Sequence, residues 1–226
     1  MMSEYLETIE IETAPNPTAT VIWMHGLGAD GNDFAPMVPE LRLGSAPAIR
    51  FVFPHAPMIP VTINNGYVMR AWYDVSYGDL EGKSRQADEK GVRASQAEIE
   101  KLIVREVARG IRANKIVIAG FSQGGAIALH TGLRHAAPLA GIMALSTYLP
   151  APHTLPAEAA AANRDIALFY AHGSDDQVIP IAMAETSRQT LSAAGYAVDW
   201  HEYPMQHSVC LEEIRDISAW LQTVLR

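Results

Sequence analysis

The chain has 226 residues, of which 49% are hydrophobic and 19% charged, and its formal net charge is −8. This length and apolar content predict a single domain with a sizeable core, and they exclude a disordered or fibrous chain. The acidic balance argues against a nucleic-acid partner, because such binding requires a basic surface. The single cysteine, Cys210, excludes an intrachain disulfide. Without a signal-peptide pattern or an apolar run long enough for a bilayer, we expect a cytoplasmic protein with no membrane insertion.

Short apolar runs recur along the chain, and each is followed by a turn signal and then by a helical pattern. The runs are largely continuous, which is typical of strands covered on both faces. They predict strands at 21–24, 49–53, 116–119, 142–145, 167–171 and 197–203, with an alternating edge strand at 9–12. Apolar spacing predicts helices over 99–111 and 211–224, and an Ala-rich piece predicts a short surface helix at 157–162. The pattern indicates one α/β domain over 1–226, with a mostly parallel sheet and helices on both faces.

The stretch from about 55 to 90 is rich in Pro, Gly, Asn and charged residues and has no clear periodicity. Because long irregular connections in compact domains are often functional, we interpret it as a loop region that covers the substrate. Met69, Trp72 and Tyr73 lie within it. They form either an apolar wall for an acyl chain or anchors that fix the loop on the core, and the residues alone do not separate these alternatives.

The strongest local motif is Gly120-Phe121-Ser122-Gln123-Gly124, which follows a predicted strand and precedes small and apolar residues suited to a helix. A strand-to-helix turn this tight leaves room for little beyond hydrogen at its flanks, which explains the glycines. Such a turn projects a serine hydroxyl above the sheet, next to the free N–H groups of the following helix. The motif predicts Ser122 as a nucleophile; the alternative is a glycine-rich turn with a capping serine.

A serine of ordinary pKa needs a general base, and the base needs a carboxylate that orients it. In this architecture the three follow the chain order serine, acid, histidine. His207 lies after the last predicted strand, in a loop before the final helix, and it is the histidine best able to reach Ser122. The acid is expected at the end of the strand before 172–180, where spacing alone does not separate Asp175 from Asp176.

A tetrahedral intermediate also needs N–H donors for its oxyanion. We expect one from the backbone of Gln123 and the other from Leu27, in the glycine-rich loop after the first buried strand. Gly26, Gly28 and Gly31 in that loop also fit the dinucleotide-binding fingerprint G-x-G-x-x-G. No helix pattern opens at the third glycine and no ribose-binding acid follows the next strand, so we predict no nicotinamide cofactor. The sequence lacks metal-ligand spacings, so we predict no required metal.

These motifs together resemble one known family. They are 25–28 (HGLG), 70–74 (RAWYD), 120–125 (GFSQGG), the His-Gly, Asp and Pro of 172–180, and His207. The chain resembles the carboxylesterase/acyl-protein thioesterase family, also called phospholipase/carboxylesterases, over essentially its whole length. The resemblance implies an α/β-hydrolase fold, selects Asp176 as the acid and agrees with Leu27 as an oxyanion donor. It also implies cytoplasmic, cofactor-free hydrolysis of carboxylic esters or thioesters, and a homodimer.

We therefore predict a serine hydrolase that cleaves short- to medium-chain acyl esters as its small-molecule substrates. The alternatives are an acyl-protein thioesterase or lysophospholipase-type enzyme, and a non-catalytic binding protein of the same fold. Two positions depart from the family pattern: Ala29-Asp30 replaces Asp-Ser, and Gln177 replaces a proline after the acid. Neither departure removes a catalytic group.

Overall fold

The computed structural model describes residues 5–44, 46–76, 78 and 88–226. The strands are β1 (Thr8–Glu12), β2 (Ala19–Met24), β3 (Ile49–Pro54), β4 (Met58–Val61), β5 (Tyr67–Arg70), β6 (Ile116–Phe121), β7 (Gly141–Leu145), β8 (Ala167–Gly173) and β9 (Val198–Tyr203). The α-helices are α1 (Glu89–Ala108), α2 (Gln123–Gly132), α3 (Leu155–Glu158), α4 (Ile181–Ala193) and α5 (Leu211–Val224).

Seven of these strands form one twisted sheet in the order β1-β3-β2-β6-β7-β8-β9. Strand β1 pairs antiparallel with β3, and every other neighbouring pair is parallel. All residues of β2, β3 and β7 are buried, which explains why their apolar runs are continuous rather than alternating. The sheet confirms the predicted α/β fold.

Helices cover both faces of this sheet, and each face has its own apolar core. On one face, Ile99 of α1, Ile127 of α2 and Leu191 of α4 belong to a common cluster. On the other face, Leu221 of α5 packs in a second cluster with Val38, which lies in a short 3-10 helix. Among the described helices, none combines the length and apolar content that a bilayer crossing requires.

The parallel strands β2, β6, β7, β8 and β9 all end at the same edge of the sheet. Their carboxyl-terminal loops therefore converge, although they are far apart in the sequence. Candidate residues lie after four of these strand ends: Leu27 after β2, Ser122 after β6, Asp176 after β8 and His207 after β9. The fold therefore brings these four residues into one region, although they lie up to 180 positions apart in the sequence.

Two sequence-based expectations of local structure are wrong. The 55–90 stretch is not irregular throughout, because β4 and β5 pair as an antiparallel hairpin and α1 begins at Glu89. The predicted helix at 157–162 is interrupted: α3 ends at Glu158, and a separate 3-10 turn covers Ala161–Asn163. Residues 77 and 79–87 of the predicted covering loop lie outside the described residues.

Candidate active site

Ser122 lies on a strained turn between β6 and α2. Its backbone has φ 54° and ψ −120°, a left-handed φ that is uncommon for a residue other than glycine. Close packing explains the flanking glycines: a Cβ on Gly120 would lie 2.2 Å from the Gly124 backbone, and one on Gly124 would lie 2.5 Å from the Met24 carbonyl oxygen. The Ser122 N–H donates to the Leu145 carbonyl at 2.8 Å, which fixes the turn against β7.

His207 lies in the loop between β9 and α5, and its ring is bound on one side by a carboxylate. The His207 Nδ1 to Asp176 Oδ2 distance is 2.6 Å. The ring also packs against Phe121, the residue before Ser122, with 4.7 Å between ring centroids. His207 and Ser122 line the same cavity.

The Asp176 side chain is fully buried, and both of its oxygens are used. One oxygen faces His207, while the other accepts the N–H groups of Val178 at 2.9 Å and Ile179 at 2.8 Å. Burial alone would raise the pKa of Asp176, but the hydrogen bonds from His207 and these two amides outweigh burial and lower it. Asp175 is exposed, and its backbone N–H binds the Met205 carbonyl. Asp176 is therefore the carboxylate on His207.

A glycine-rich loop, residues 25–31, approaches the same point from the end of β2. We call it the oxyanion loop. Leu27 and Gln123 both line the cavity, and neither backbone N–H donates to another residue within the described ranges. Gln123 is the first residue of α2, so its amide is one of the N–H groups that a helix leaves unpaired. Two free donors thus lie beside Ser122.

The cavity above Ser122 has a volume of about 350 Å³ and a largely apolar wall. The apolar side chains of this wall are Leu27, Ala29, Ile63, Val75, Phe121, Val178 and Ile179. Tyr73 and Tyr148 also line it, and their hydroxyls lie 2.8 Å apart. Among the described lining residues, Asp33 supplies a carboxylate and no lysine or arginine occurs. The site is therefore suited to an uncharged, apolar chain.

The three side chains that the sequence offered as an acyl wall occupy different places. Tyr73 lines the cavity. Trp72 is 2% exposed and lies outside the cavity lining; its indole N–H donates to the His25 carbonyl at 2.9 Å. Met69 also lies outside the lining, and its sulfur faces the position that a Cβ on Gly28 would occupy, at 3.7 Å. Trp72 and Met69 thus lie beside the oxyanion loop, outside the cavity wall.

Several residues of the site were missed by the sequence reasoning. The Gln123 side chain clamps the 72–73 segment: its Oε1 accepts the Trp72 N–H at 2.8 Å, and its Nε2 donates to the Tyr73 carbonyl at 2.6 Å. Tyr148 could have been found, since it follows a buried strand at the functional edge of the sheet. Ile63 lies in a 3-10 turn within the β4–β5 hairpin, and no sequence signal pointed to it.

Within the described part of the chain, we find no group of three or more His, Cys, Asp or Glu side chains that could hold a metal ion. A mostly parallel sheet, a strained serine at a strand-to-helix turn, and a histidine bound to a buried carboxylate are together typical of the α/β-hydrolase class.

Comparison with known proteins identifies the family. The phospholipase/carboxylesterase family model matches residues 6–225, so the chain belongs to this family and is a carboxylic ester hydrolase. Acyl-protein thioesterase 1 of Neurospora crassa is 41% identical over 218 residues, covering 90% of this chain and 86% of that protein. Acyl-protein thioesterase 1 of Cryptococcus neoformans is 35% identical over 239 residues, covering all of both. The crystal structure of Zea mays acyl-protein thioesterase 2 is 28% identical, with a TM-score of 0.85 over 98% of this chain and 100% of that one.

Proposed function

We propose that this protein hydrolyses short- to medium-chain carboxylic esters through an acyl-enzyme on Ser122. His207 takes the hydroxyl proton as the Ser122 oxygen attacks the ester carbonyl carbon, and then gives that proton to the leaving alcohol oxygen. Water next attacks the acyl-enzyme, with His207 again as base, and releases the carboxylic acid and free Ser122. Asp176 keeps the proton of neutral His207 on Nδ1 and stabilises the imidazolium that forms.

One observation carries this proposal. The His207 ring is bound at Nδ1 by a buried carboxylate at 2.6 Å, while the same ring lines the cavity that contains Ser122. With Nδ1 occupied as a donor, Nε2 of the neutral ring is the nitrogen left to accept a proton. This is the arrangement that a general base for a serine hydroxyl requires.

The oxyanion of the tetrahedral intermediate would be stabilised by the backbone N–H groups of Leu27 and Gln123. Both residues line the cavity, and neither amide donates a hydrogen bond to a residue that the structure describes. The amide at the start of α2 also lies at the positive end of a helix, which favours a developing negative charge. Loss of one such donor in other enzymes lowers kcat by about 10²–10³.

The proposed acyl-length range follows from the size of the cavity. A volume of about 350 Å³ is near the lower end of the ~300–1,000 Å³ typical of small-molecule sites. Each methylene that the acyl chain buries against an apolar wall contributes about 0.8 kcal/mol to the binding free energy until the cavity is filled. We therefore expect kcat/KM to rise with acyl length and then to level off within the medium-chain range.

The test is a panel of p-nitrophenyl esters of graded acyl length, measured with the wild type, Ser122→Ala and Ser174→Ala. Ser174 is an exposed serine in the loop of Asp176 and serves as the matched control. We expect Ser122→Ala to lose turnover with all esters and Ser174→Ala to stay within about two-fold of the wild type. Substantial turnover by purified, folded Ser122→Ala would refute the assignment. A single serine labelled by a fluorophosphonate would exclude the non-catalytic binding protein.

The second candidate is an acyl-protein thioesterase. It is supported by the names of the relatives, and by the cavity rim, where Val178 is 50% exposed and offers apolar contact for a longer chain. Hydrolysis of an octanoyl-cysteine peptide thioester should be compared with that of octanoyl p-nitrophenyl ester at equal concentration. A kcat/KM at least 10-fold higher for the peptide would favour this second activity over simple ester hydrolysis.

A further inference from the structure

Two histidines that the proposed mechanism does not use hold the two ends of the oxyanion loop. At its start, His25 Nδ1 lies 2.7 Å from the Gly26 carbonyl oxygen, and His25 Nε2 accepts the Ala56 N–H at 3.1 Å. At its end, the Gly31 N–H donates to His55 Nδ1 at 3.1 Å. The loop is thus tied through imidazole rings to the segment that follows β3.

The hydrogen-bond partners determine which nitrogen of each ring carries the proton. A backbone N–H can only donate, so His25 Nε2 and His55 Nδ1 must both be unprotonated. His25 therefore carries its proton on Nδ1, from which it donates to the Gly26 carbonyl, whereas a neutral His55 carries its proton on Nε2. Protonation of either ring to imidazolium would replace an acceptor with a donor and break the tie.

The surroundings of His25 favour the neutral ring. His25 is 1% exposed and His55 is 9% exposed. Burial lowers the pKa of His25 to about 4; the Gly26 carbonyl and Asp30 oppose this shift, while His55 and Arg70 add to it. The charged groups that face the two rings are Asp30, in the oxyanion loop, and Arg70, at the end of β5. Burial has the largest effect, so His25 is neutral near pH 7.

These ties bracket the Leu27 amide. Gly26, on one side of Leu27, is held by His25, and the Gly28 N–H on the other side donates to the Arg70 carbonyl at 2.9 Å. Gly31 lies so close to β3 that a Cβ there would come 2.6 Å from the Phe53 carbonyl oxygen. The Leu27 N–H is thus left unpaired, within the described residues, on a loop whose neighbouring amides and carbonyls are fixed. An oxyanion donor is effective when it is held in place before the reaction begins.

We propose that His25 and His55 are positioning residues, whose unprotonated ring nitrogens hold the oxyanion loop so that the Leu27 N–H points at the developing oxyanion. This inference rests on the proposed function, because it assumes that an oxyanion forms next to Ser122. Neither ring contacts the reacting atoms in this scheme. Their effect on the rate is transmitted through the backbone of the loop.

The test compares His55→Asn with His55→Leu. The Asn Oδ1 can replace the Nδ1 acceptor for the Gly31 N–H, whereas leucine fills space and accepts nothing. Active sites are counted with a fluorophosphonate, so that kcat refers to competent enzyme only. With p-nitrophenyl butyrate, we expect His55→Leu to lower kcat about 10-fold or more with KM within two-fold, and His55→Asn to stay within about three-fold of the wild type.

A transition-state mimic separates positioning from a general loss of structure. An alkyl trifluoromethyl ketone forms a hemiketal oxyanion with a serine nucleophile, so its Ki reports on the donors of the oxyanion. We expect this Ki to rise in His55→Leu by the same factor by which kcat falls, and to be nearly unchanged in His55→Asn. The proposal is overturned if His55→Leu keeps both values within two-fold of the wild type, or if His55→Asn loses as much as His55→Leu.

A measurement on the wild type keeps the proposal testable even if His55→Leu does not fold. Nitrogen-15 NMR at alkaline pH, where imidazole rings are neutral, should show the ring proton of His25 on Nδ1 and that of His55 on Nε2. The opposite tautomer at either position overturns the proposal. This readout does not depend on activity, so a wild type that hydrolyses no ester would refute the proposed function separately.

Discussion

Replacing Asp176 with asparagine tests the proposed role of this carboxylate most directly, because its two oxygens bind different partners. One oxygen accepts a hydrogen bond from His207 Nδ1, and the other accepts hydrogen bonds from the N–H groups of Val178 and Ile179. Asparagine has one acceptor oxygen and one donor NH₂ group. If its oxygen faces His207, its NH₂ group opposes two backbone donors; if its oxygen faces the backbone, its NH₂ group faces Nδ1 and favours the wrong tautomer of His207.

The expected magnitude follows from these two alternatives. Loss of a charge-assisted hydrogen bond to the imidazolium costs about 1.5–3 kcal/mol, which is roughly 10- to 100-fold in rate. The wrong tautomer, with its proton on Nε2, cannot accept the Ser122 proton, and this lowers the population of competent enzyme further. We therefore expect Asp176→Asn to reduce kcat by about 10³–10⁴ with KM little changed.

The assay is turnover of p-nitrophenyl butyrate at pH 7.5, with thermal unfolding measured in parallel to check that the variant folds. Asp175→Asn is the matched control, because it removes the adjacent exposed carboxylate and should stay within about two-fold of the wild type. Retention of more than a tenth of kcat by folded Asp176→Asn would refute the reasoning. An equal loss in Asp175→Asn would do the same.

Three further predictions concern carboxylates other than Asp176. Burial raises the pKa of Glu213 to about 8, so its stabilising contribution is complete below its unfolded pKa of about 4.5 and is lost as the pH rises toward 8. The Tm of Glu213→Gln relative to the wild type should therefore be higher at pH 8 than at pH 5, and an equal difference at both pH values would contradict this. Glu106 is fully buried and accepts a hydrogen bond from Arg50 Nη1 at 2.8 Å, so Glu106→Gln should lower the free energy of unfolding by about 3–5 kcal/mol in urea titrations. The half-buried Glu98 pairs with Lys101 at the surface, and Glu98→Gln should cost less than about 1 kcal/mol in the same assay. Asp33→Asn should lower the kcat/KM ratio of butyrylcholine to its uncharged 3,3-dimethylbutyl isostere about three-fold, since Asp33 lines the cavity; an unchanged ratio would exclude a charge effect.

The parts of the site that lie at strand ends were accessible from sequence because local chemistry marks them. Glycines flank Ser122 at positions where a Cβ would clash with nearby backbone atoms. Gly173 ends β8 for the same reason, because a Cβ there would lie 2.3 Å from the Met205 carbonyl oxygen. Buried parallel strands have continuous apolar runs, and these runs located β2, β3, β6, β7 and β8 to within two residues at each end. The edge strand β9, of which one residue is buried, was located equally well. The chain order of serine, acid and histidine then left few candidates for each role.

The β4–β5 hairpin was missed for a different reason. Its strands have four residues each, and half of these residues are exposed, so the strands lack the apolar pattern by which a buried strand is found. The turn itself carries a signal, because Asn65 and Gly66 both have positive φ, and Asn-Gly between short runs is a strong hairpin indicator. That signal was outweighed by the proline and charge content of the surrounding region.

Side-chain direction within the 70–75 segment could not be obtained from the sequence. Trp72 and Tyr73 are both buried aromatics, yet Trp72 turns to the His25 carbonyl and Tyr73 to the cavity. The choice depends on Gln123, whose side chain binds the backbone of both residues from another element. A contact between positions about fifty apart in the chain has no local pattern that would reveal it.

The strand order has a consequence for how this enzyme could diversify. Strand β7 lies between β6, which ends at the nucleophile, and β8, which leads to the acid. The segment after β7 contributes Tyr148 to the wall of the cavity. Its Thr147 hydroxyl donates to the Ser122 carbonyl at 2.6 Å, but no side chain of the segment takes part in the proposed proton transfers. Substitutions at Tyr148 can therefore change the substrate preference while the reaction chemistry is retained, because β7 supplies neither the nucleophile nor the acid.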